Sequence, residues 1–486
     1  MIENSQVVMR KFESTLNQNM DNGERIEKSI SMIQKVSVGP QQLGADSFRR
    51  RYGIKYAYLT GGMYKGIASK ELVVAVARSG FLAFLGAGGM ALNEIESNIQ
   101  FIQKKLSPGQ VYGMNLVCDV NNPKIEMDTV ALFIEKGITC IEASAFMLVT
   151  PALVYYRLSG LRRNCDGTID CLHKIIAKVS HPEVARAFLT PPPADIVRKL
   201  LDRNQITQEQ ADMSAHIAMS YDICVEADSG GHTNQGIPTV IFPAIQSLMH
   251  QITETYKYDH AIHIGLAGGI GTPQAAVAAF MMGADFVLTG SINQCTIEAG
   301  TSDSVKDLLQ DINVQDTDYA PAGDMFELGA RVQVLKKGVF FPSRANKLFM
   351  LYNHYDCLED IPDRIRIQIE QKYFQKTFSA VWGEVKDYYQ KAGRQATLEK
   401  AFSNPKHKMA LVFKWYFAYS GRLAVTGDEK NRVDFQIHTG PALGAFNQWV
   451  KGTELESWRN RHVDLIAEKL MHETAFLLSD QINKLI

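Results

Sequence analysis

Between Lys55 and Gly290 the chain alternates eight short apolar runs, rich in β-branched and aromatic residues, with longer segments of helical period. The runs are KYAYLT from Lys55, FLAFLG from Phe81, VYGMNLV from Val111, ITCIEAS from Ile138, KIIAKVS from Lys174, YDICVEA from Tyr221, IHIGLAG from Ile262 and DFVLTG from Asp285. SKELVVAVARSG, ALNEIESNIQFIQKKL, MDTVALFIEKG and TPQAAVAAFMMG lie between them, with apolar residues three and four apart, and most end at glycine as helices do. Eight strand-helix units in about 240 residues predict an α/β fold, a (β/α)₈ TIM barrel.

Two stretches break the spacing. Ser159 to Cys171 is polar and turn-rich, which predicts a surface loop. Thr190 to His216 starts with three prolines and continues with two helical stretches, an excursion expected to help cover a site. Past about Gly300 the alternation stops and the pattern is mainly helical, with dense aromatic residues that suit a packed core. The expected organisation is an N-terminal extension (1–48), a barrel (49–300, helical insertion about 190–218) and a mainly helical region (301–486).

Composition narrows the function. Lys+Arg 51 against Asp+Glu 52 gives a net charge of -1, without the basic excess that phosphate backbones require, so nucleic acid is not an expected partner. No window approaches the eighteen or more consecutive apolar residues of a bilayer span, and the first residues lack the basic start and apolar run of a secretory signal. A cytoplasmic protein with no membrane association is expected. The seven cysteines include no C-x-x-C spacing, and Cys165 and Cys171 are expected to be reduced; no metal site is expected.

Barrel enzymes carry their chemistry where strands end, so the residues following each strand are the informative ones. Thr60-Gly61-Gly62-Met63 follows the first strand, Gly86-Ala87-Gly88-Gly89 the second, and Asn115 lies near the end of the third. Lys178 closes the fifth. The sixth leads into Asp228-Ser229-Gly230-Gly231-His232, a glycine pair that allows close backbone approach beside a titratable side chain. The seventh ends at Gly268-Gly269-Ile270-Gly271 and the eighth at Thr289-Gly290-Ser291, adjacent loops of the kind that bind phosphate through free N–H groups. Each feature has a plainer reading: a tight turn for the glycines, a carboxylate pair for Lys178, a solvated turn for His232. Gly86, Gly88 and Ala91 also fit the dinucleotide pattern G-x-G-x-x-A, with Asp119 ending the next strand, but a doubly wound sheet leaves the other glycine loops unexplained. Phosphate loops, a lysine and a histidine together suggest flavin mononucleotide, with the Lys178 cation near the pyrimidine edge of the ring.

The stretches TGGMYKGIAS, LGAGGM, GMNLVCD, AKVSHPEVARAF, VEADSGGHT, GLAGGIGTPQAA, MGADFVLTGS and DMFELGARVQVLKKGVFFPSRANKLFMLY resemble the PfaD-type trans-acting enoyl reductases of polyketide and polyunsaturated fatty acid synthases. That group sits within a wider set of nitronate monooxygenase-like FMN barrels. The resemblance implies FMN contacts at Gly61, Gly62, Asn115, Lys178, Gly231, Gly269, Gly290 and Ser291 and places His232 at the active-site histidine; the neighbouring Met63, Gly230 and Gly268 are further candidate cofactor contacts, and Lys178 a further candidate catalytic residue. It further implies NADPH or NADH as reductant, acyl carrier protein domains as partners of a substrate-covering, carrier-docking C-terminal region, and a possible homo-oligomer. Nitronate monooxygenases read E-A-G-G-H where this chain inserts Asp228-Ser229, which points to the enoyl reductase branch. The expected activity is reduction of the α,β-double bond of enoyl thioesters on carrier protein. A nitronate-oxidising flavoenzyme and a non-catalytic barrel subunit of a synthase complex are the alternatives. Lys336, Lys337, Arg344 and Lys347 form a basic cluster expected to steer an acidic carrier.

Overall fold

Side chains alternate across a strand, so in a closed barrel every second residue of each strand points inward. The computed structural model, which describes residues 35–119 and 122–486, closes the eight runs into a parallel barrel in the order β1-β8-β7-β6-β5-β4-β3-β2. The strands are β1 (Tyr58–Thr60), β2 (Leu82–Leu85), β3 (Gly113–Val117), β4 (Cys140–Ser144), β5 (Lys174–Val179), β6 (Asp222–Glu226), β7 (Ile264–Ala267) and β8 (Phe286–Thr289). Alternate residues Leu59, Phe84, Cys140, Ile176, Cys224 and Phe286 pack as one buried interior cluster. The next inward positions, toward the C-terminal ends, are polar: Asn115, Glu142, Lys178 and Glu226. The barrel is therefore greasy at its base and charged at its mouth.

The helix Asp46–Tyr52 closes the base. Phe48 stacks on Phe286 with ring centroids 4.2 Å apart, and Tyr52 donates to the buried Asp222 carboxylate at 2.7 Å. Arg51 pairs with the same carboxylate at 2.7 Å, and the His263 N–H donates to it at 2.8 Å. Burying Asp222 is tolerable because each oxygen has donors. The reading of residues 1–34 as part of an extension lies outside the described residues.

Two local expectations are corrected and a third, borne out, gains detail. Ser159 to Cys171 is no plain loop: Leu161–Arg163 pairs antiparallel with Ile169–Cys171, and Cys171 is buried against Arg157. The excursion 190–218 forms helices Ala194–Asp202 and Gln208–Ser214, as read, but Gln210 donates to the Ser159 carbonyl at 3.3 Å and the excursion leads straight into β6. It lies at the base and does not cover the mouth. The region after Gly300 is mostly helical yet contains two strands, Thr317–Pro321 and Arg331–Leu335, which form a three-stranded sheet with Gly231–Thr233 from the loop after β6.

The C-terminal residues divide between two cores. Residues from Ala320 to Phe417 build a separate cluster around Phe326, Phe341, Phe413 and Tyr416. Leu443, Phe446, Trp458, Ile466 and Leu470 instead join the barrel's outer core, and helix Val463–Leu485 packs on helix Pro273–Met281. All seven cysteines are free, and among the described residues no helix is long and apolar enough to cross a membrane.

Candidate functional site

At the mouth, strand register sets the charged side chains against one another. Asn115 pairs with Glu142 across β3 and β4, and its amide donates to Glu142 Oε2 at 2.6 Å and Ser144 Oγ at 2.8 Å. The Gly62 N–H donates to the same Glu142 oxygen at 2.9 Å, and a Cβ on Gly62 would overlap Asn115. Gly61 donates to the Thr289 carbonyl at 2.9 Å, closing the seam between β1 and β8. Met63 packs against the core, and its carbonyl accepts from Ala68. Glu142 is fully buried with Oε1 unpartnered; burial raises its pKa against the opposing pull of Lys178, Gly62 and Asn115.

Lys178 pairs with Glu226 at 2.7 Å. Burial alone would lower the ammonium pKa, but the Glu226 and Glu142 carboxylates outweigh it and hold it above the ordinary value. Lys178 is thus a fixed cation at the centre of the mouth, and the carboxylate pair anticipated as its plainer reading is present. Glu142 was missed from sequence. Its inward parity with Cys140 on β4 was the signal that would have found it.

His232 sits on the short strand Gly231–Thr233, paired with Val332, and Gly231 takes φ +88° to turn the chain there. The imidazole Nε2 lies 2.9 Å from Asp324 Oδ1, and the side chain remains 43% exposed. Burial works to lower the His232 pKa, and the hydrogen bond and charge of Asp324 overcome it, so the pKa is raised. Asp324 is lowered in turn by His232, despite its own partial burial. Asp324 comes from the loop between the two C-terminal strands, 92 residues away, and no local pattern could have paired them.

Asp228, part of the two-residue insertion, binds the loop to that same sheet. It accepts from Tyr319 and from Gln333 at 3.2 Å through Oδ2, and from Thr233 at 2.5 Å through Oδ1. Gly230 lies where a Cβ would stand 2.8 Å from the Thr439 Cα and 2.9 Å from Ser291 Oγ. Gly268 and Gly269 take φ +87° and +76°; space beside Gly269 and Gly290 is open, and Ser291 opens the helix Ser291–Gln294. Backbone donors bordering open space fit a flavin phosphate, and Lys178 fits an electron-rich ring edge. Gly86 and Gly88 fit no dinucleotide: the sheet is closed, and their missing side chains make room for Met63, Tyr64 and Val117.

Comparison with known proteins bears on the fold and the family. The family description of the acyl-carrier-protein S-malonyltransferase inserted helical domain matches residues 355–435. The chain is 52% identical over 451 residues to the polyketide biosynthesis protein PksE of Bacillus subtilis, covering 93% of this chain and 58% of that protein. It is 50% identical over 439 residues to the polyketide biosynthesis protein ThaF of Burkholderia thailandensis, covering 90% of this chain and 37% of that one. The chain therefore spans little more than half the length of the first relative and little more than a third of the second. A crystal structure of the enoyl reductase domain of MlnA, from the macrolactin biosynthesis cluster of Bacillus amyloliquefaciens, superposes with a TM-score of 0.88 at 46% identity, covering 91% of this chain and 99% of that domain. A barrel with this mouth, covering nearly all of that domain at 46% identity, belongs to the PfaD-type family of trans-acting enoyl reductases of polyketide and polyunsaturated fatty acid synthases.

Proposed function

We propose that the protein is an FMN-dependent enoyl reductase that uses NAD(P)H to saturate the α,β-double bond of enoyl thioesters carried on acyl carrier protein. The observation that carries this reading is the meeting of the Lys178–Glu226 pair, the open glycine loops and the His232–Asp324 pair at one end of a barrel that matches the MlnA enoyl reductase domain over 99% of its length. When bound, FMN supplies a two-electron store between nicotinamide and enoyl thioester. The protein's own part is electrostatic and acid-base. Lys178, held charged between two carboxylates, stabilises negative charge at the ring edge. Hydride addition at the β-carbon leaves charge on the thioester oxygen, and His232, kept protonated further into the neutral range by Asp324, donates a hydrogen bond to that oxygen or a proton at the α-carbon.

The helical block matched by the malonyltransferase insertion supports a docking role for that region, since the matched description itself belongs to an enzyme acting on acyl carrier protein. The functional test is acceptor choice after NADPH reduction. An enoyl thioester on carrier protein is expected to reoxidise the enzyme, whereas turnover with nitronates alone would favour the oxidase alternative. Purified protein without flavin, even after reconstitution, would favour a non-catalytic subunit.

A further inference from the structure

Beside the mouth lies a cluster of polar atoms that the strand-end residues do not account for. The loop after β6 packs here against residues 439 and 440, far along the chain. Thr439 is fully buried and Gln333 is 3% exposed, yet neither Thr439 Oγ1 nor Gln333 Oε1 has a hydrogen-bond partner. Gln333 cannot turn its amide round without loss, because Nε2 is committed to Asp228 and, at 3.4 Å, to the Tyr319 hydroxyl. Oε1 is left facing Gly440, within 2.8 Å of where a Cβ would stand.

Gly440 is the N-cap of helix Pro441–Trp449, and no side chain caps it. This start abuts both glycine loops: Gly271 is packed against Ala442, and the helix lies on Ser291–Gln294. An uncapped helix start attracts an anion, an amide oxygen with no donor requires one, and a threonine hydroxyl serves either way. A neutral alcohol alone would leave the helix start unused, and an anion without an O–H would leave Oε1 unsatisfied. A phosphate ester beside an alcohol satisfies all three.

We propose that Thr439 and the first turn of helix Pro441–Trp449 hold the flavin phosphate while Gln333 Oε1 accepts from the adjoining polyol hydroxyl, so that the C-terminal region completes the cofactor site begun by the barrel loops. This rests on the flavin reading above. The same chemistry occurs in the phosphopantetheine arm of a carrier protein; adjacency to Gly271 and Ser291 favours the flavin.

Flavin fluorescence titration of the full chain tests it. Thr439→Val is expected to weaken FMN binding about five- to tenfold, the value of one hydrogen bond, with riboflavin affinity unchanged and Thr439→Ser close to the parent. Unchanged FMN affinity in Thr439→Val, or equal loss for both flavins, overturns the proposal. Should Thr439→Val not fold, hydrogen exchange on the parent protein decides. Protection of residues 438–444 by FMN and not by riboflavin supports the assignment; no protection by FMN, or protection by 4′-phosphopantetheine alone, overturns it. A parent protein that binds no flavin defeats the flavin reading itself, a result distinct from binding that leaves 438–444 unprotected.

Discussion

His232 and Asp324 shift each other in opposite directions, and the signs give a pH window. A histidine with a raised pKa contributes stability below its unfolded value of about 6.5, lost as pH rises through the folded value. A lowered aspartate contributes above about 3.9, lost as pH falls through its folded value. The pair is best formed between those limits, and its exposure keeps the contribution small. Asp324→Asn should therefore move the alkaline fall of kcat/KM to lower pH while flavin stays bound; a profile that does not move would show that His232 does not titrate in catalysis. His232→Ala should keep flavin and artificial-acceptor activity but lose about 10²–10⁴-fold in enoyl reduction, measured by steady-state kinetics. Lys178→Met leaves Glu142 and Glu226 without their shared cation. It should cost roughly 3–5 kcal/mol at pH 7 in urea melts, partly recovered as pH falls and Glu142, whose pKa is already raised by burial, takes up a proton. An equal loss at every pH would contradict that electrostatic account.

At the scale of elements, what was legible depended on length and patterning. The eight barrel strands announced themselves because each is mostly apolar, with its few polar residues at inward positions or strand ends, and is bounded by glycine or a helix. Gly231–Thr233 carries only three residues, two of them polar, and exists because Arg331–Leu335 supplies its hydrogen bonds. The alternation in ARVQVL was a strand signal overlooked within a helical neighbourhood. Arg344 is the other lesson. Read as a surface cation, it is in fact paired with Asp434, whose side chain is 2% exposed and also accepts from Tyr416 at 2.6 Å. Arg344→Leu should destabilise the helical block by about 3–5 kcal/mol in thermal or urea melts, because it strands a buried carboxylate. A change below about 1 kcal/mol would mean that Asp434 finds other donors or a proton.

Over the whole molecule, the fold class and the positions of the barrel residues at the candidate site were readable, since a strand end determines both position and exposure. Asp324, and the Gln333 and Thr439 of the proposed phosphate site, were not, because they come beside the loop after β6 only through tertiary pairing. Lys336 and Lys337 remain exposed and Lys347 half-exposed after Arg344 is removed from the docking cluster. Lys336→Glu with Lys347→Glu is expected to lower kcat/KM for carrier-bound substrate but not for a small enoyl thioester, with the difference shrinking as salt rises. Equal loss on both substrates would remove that surface from docking.

The reductase account is tested most directly by mass spectrometry of a carrier-bound enoyl thioester incubated with the protein, FMN and NADPH. It predicts a gain of two hydrogens on the acyl chain, dependent on all three. An unchanged enoyl mass with flavin bound and reduced by NADPH would contradict it.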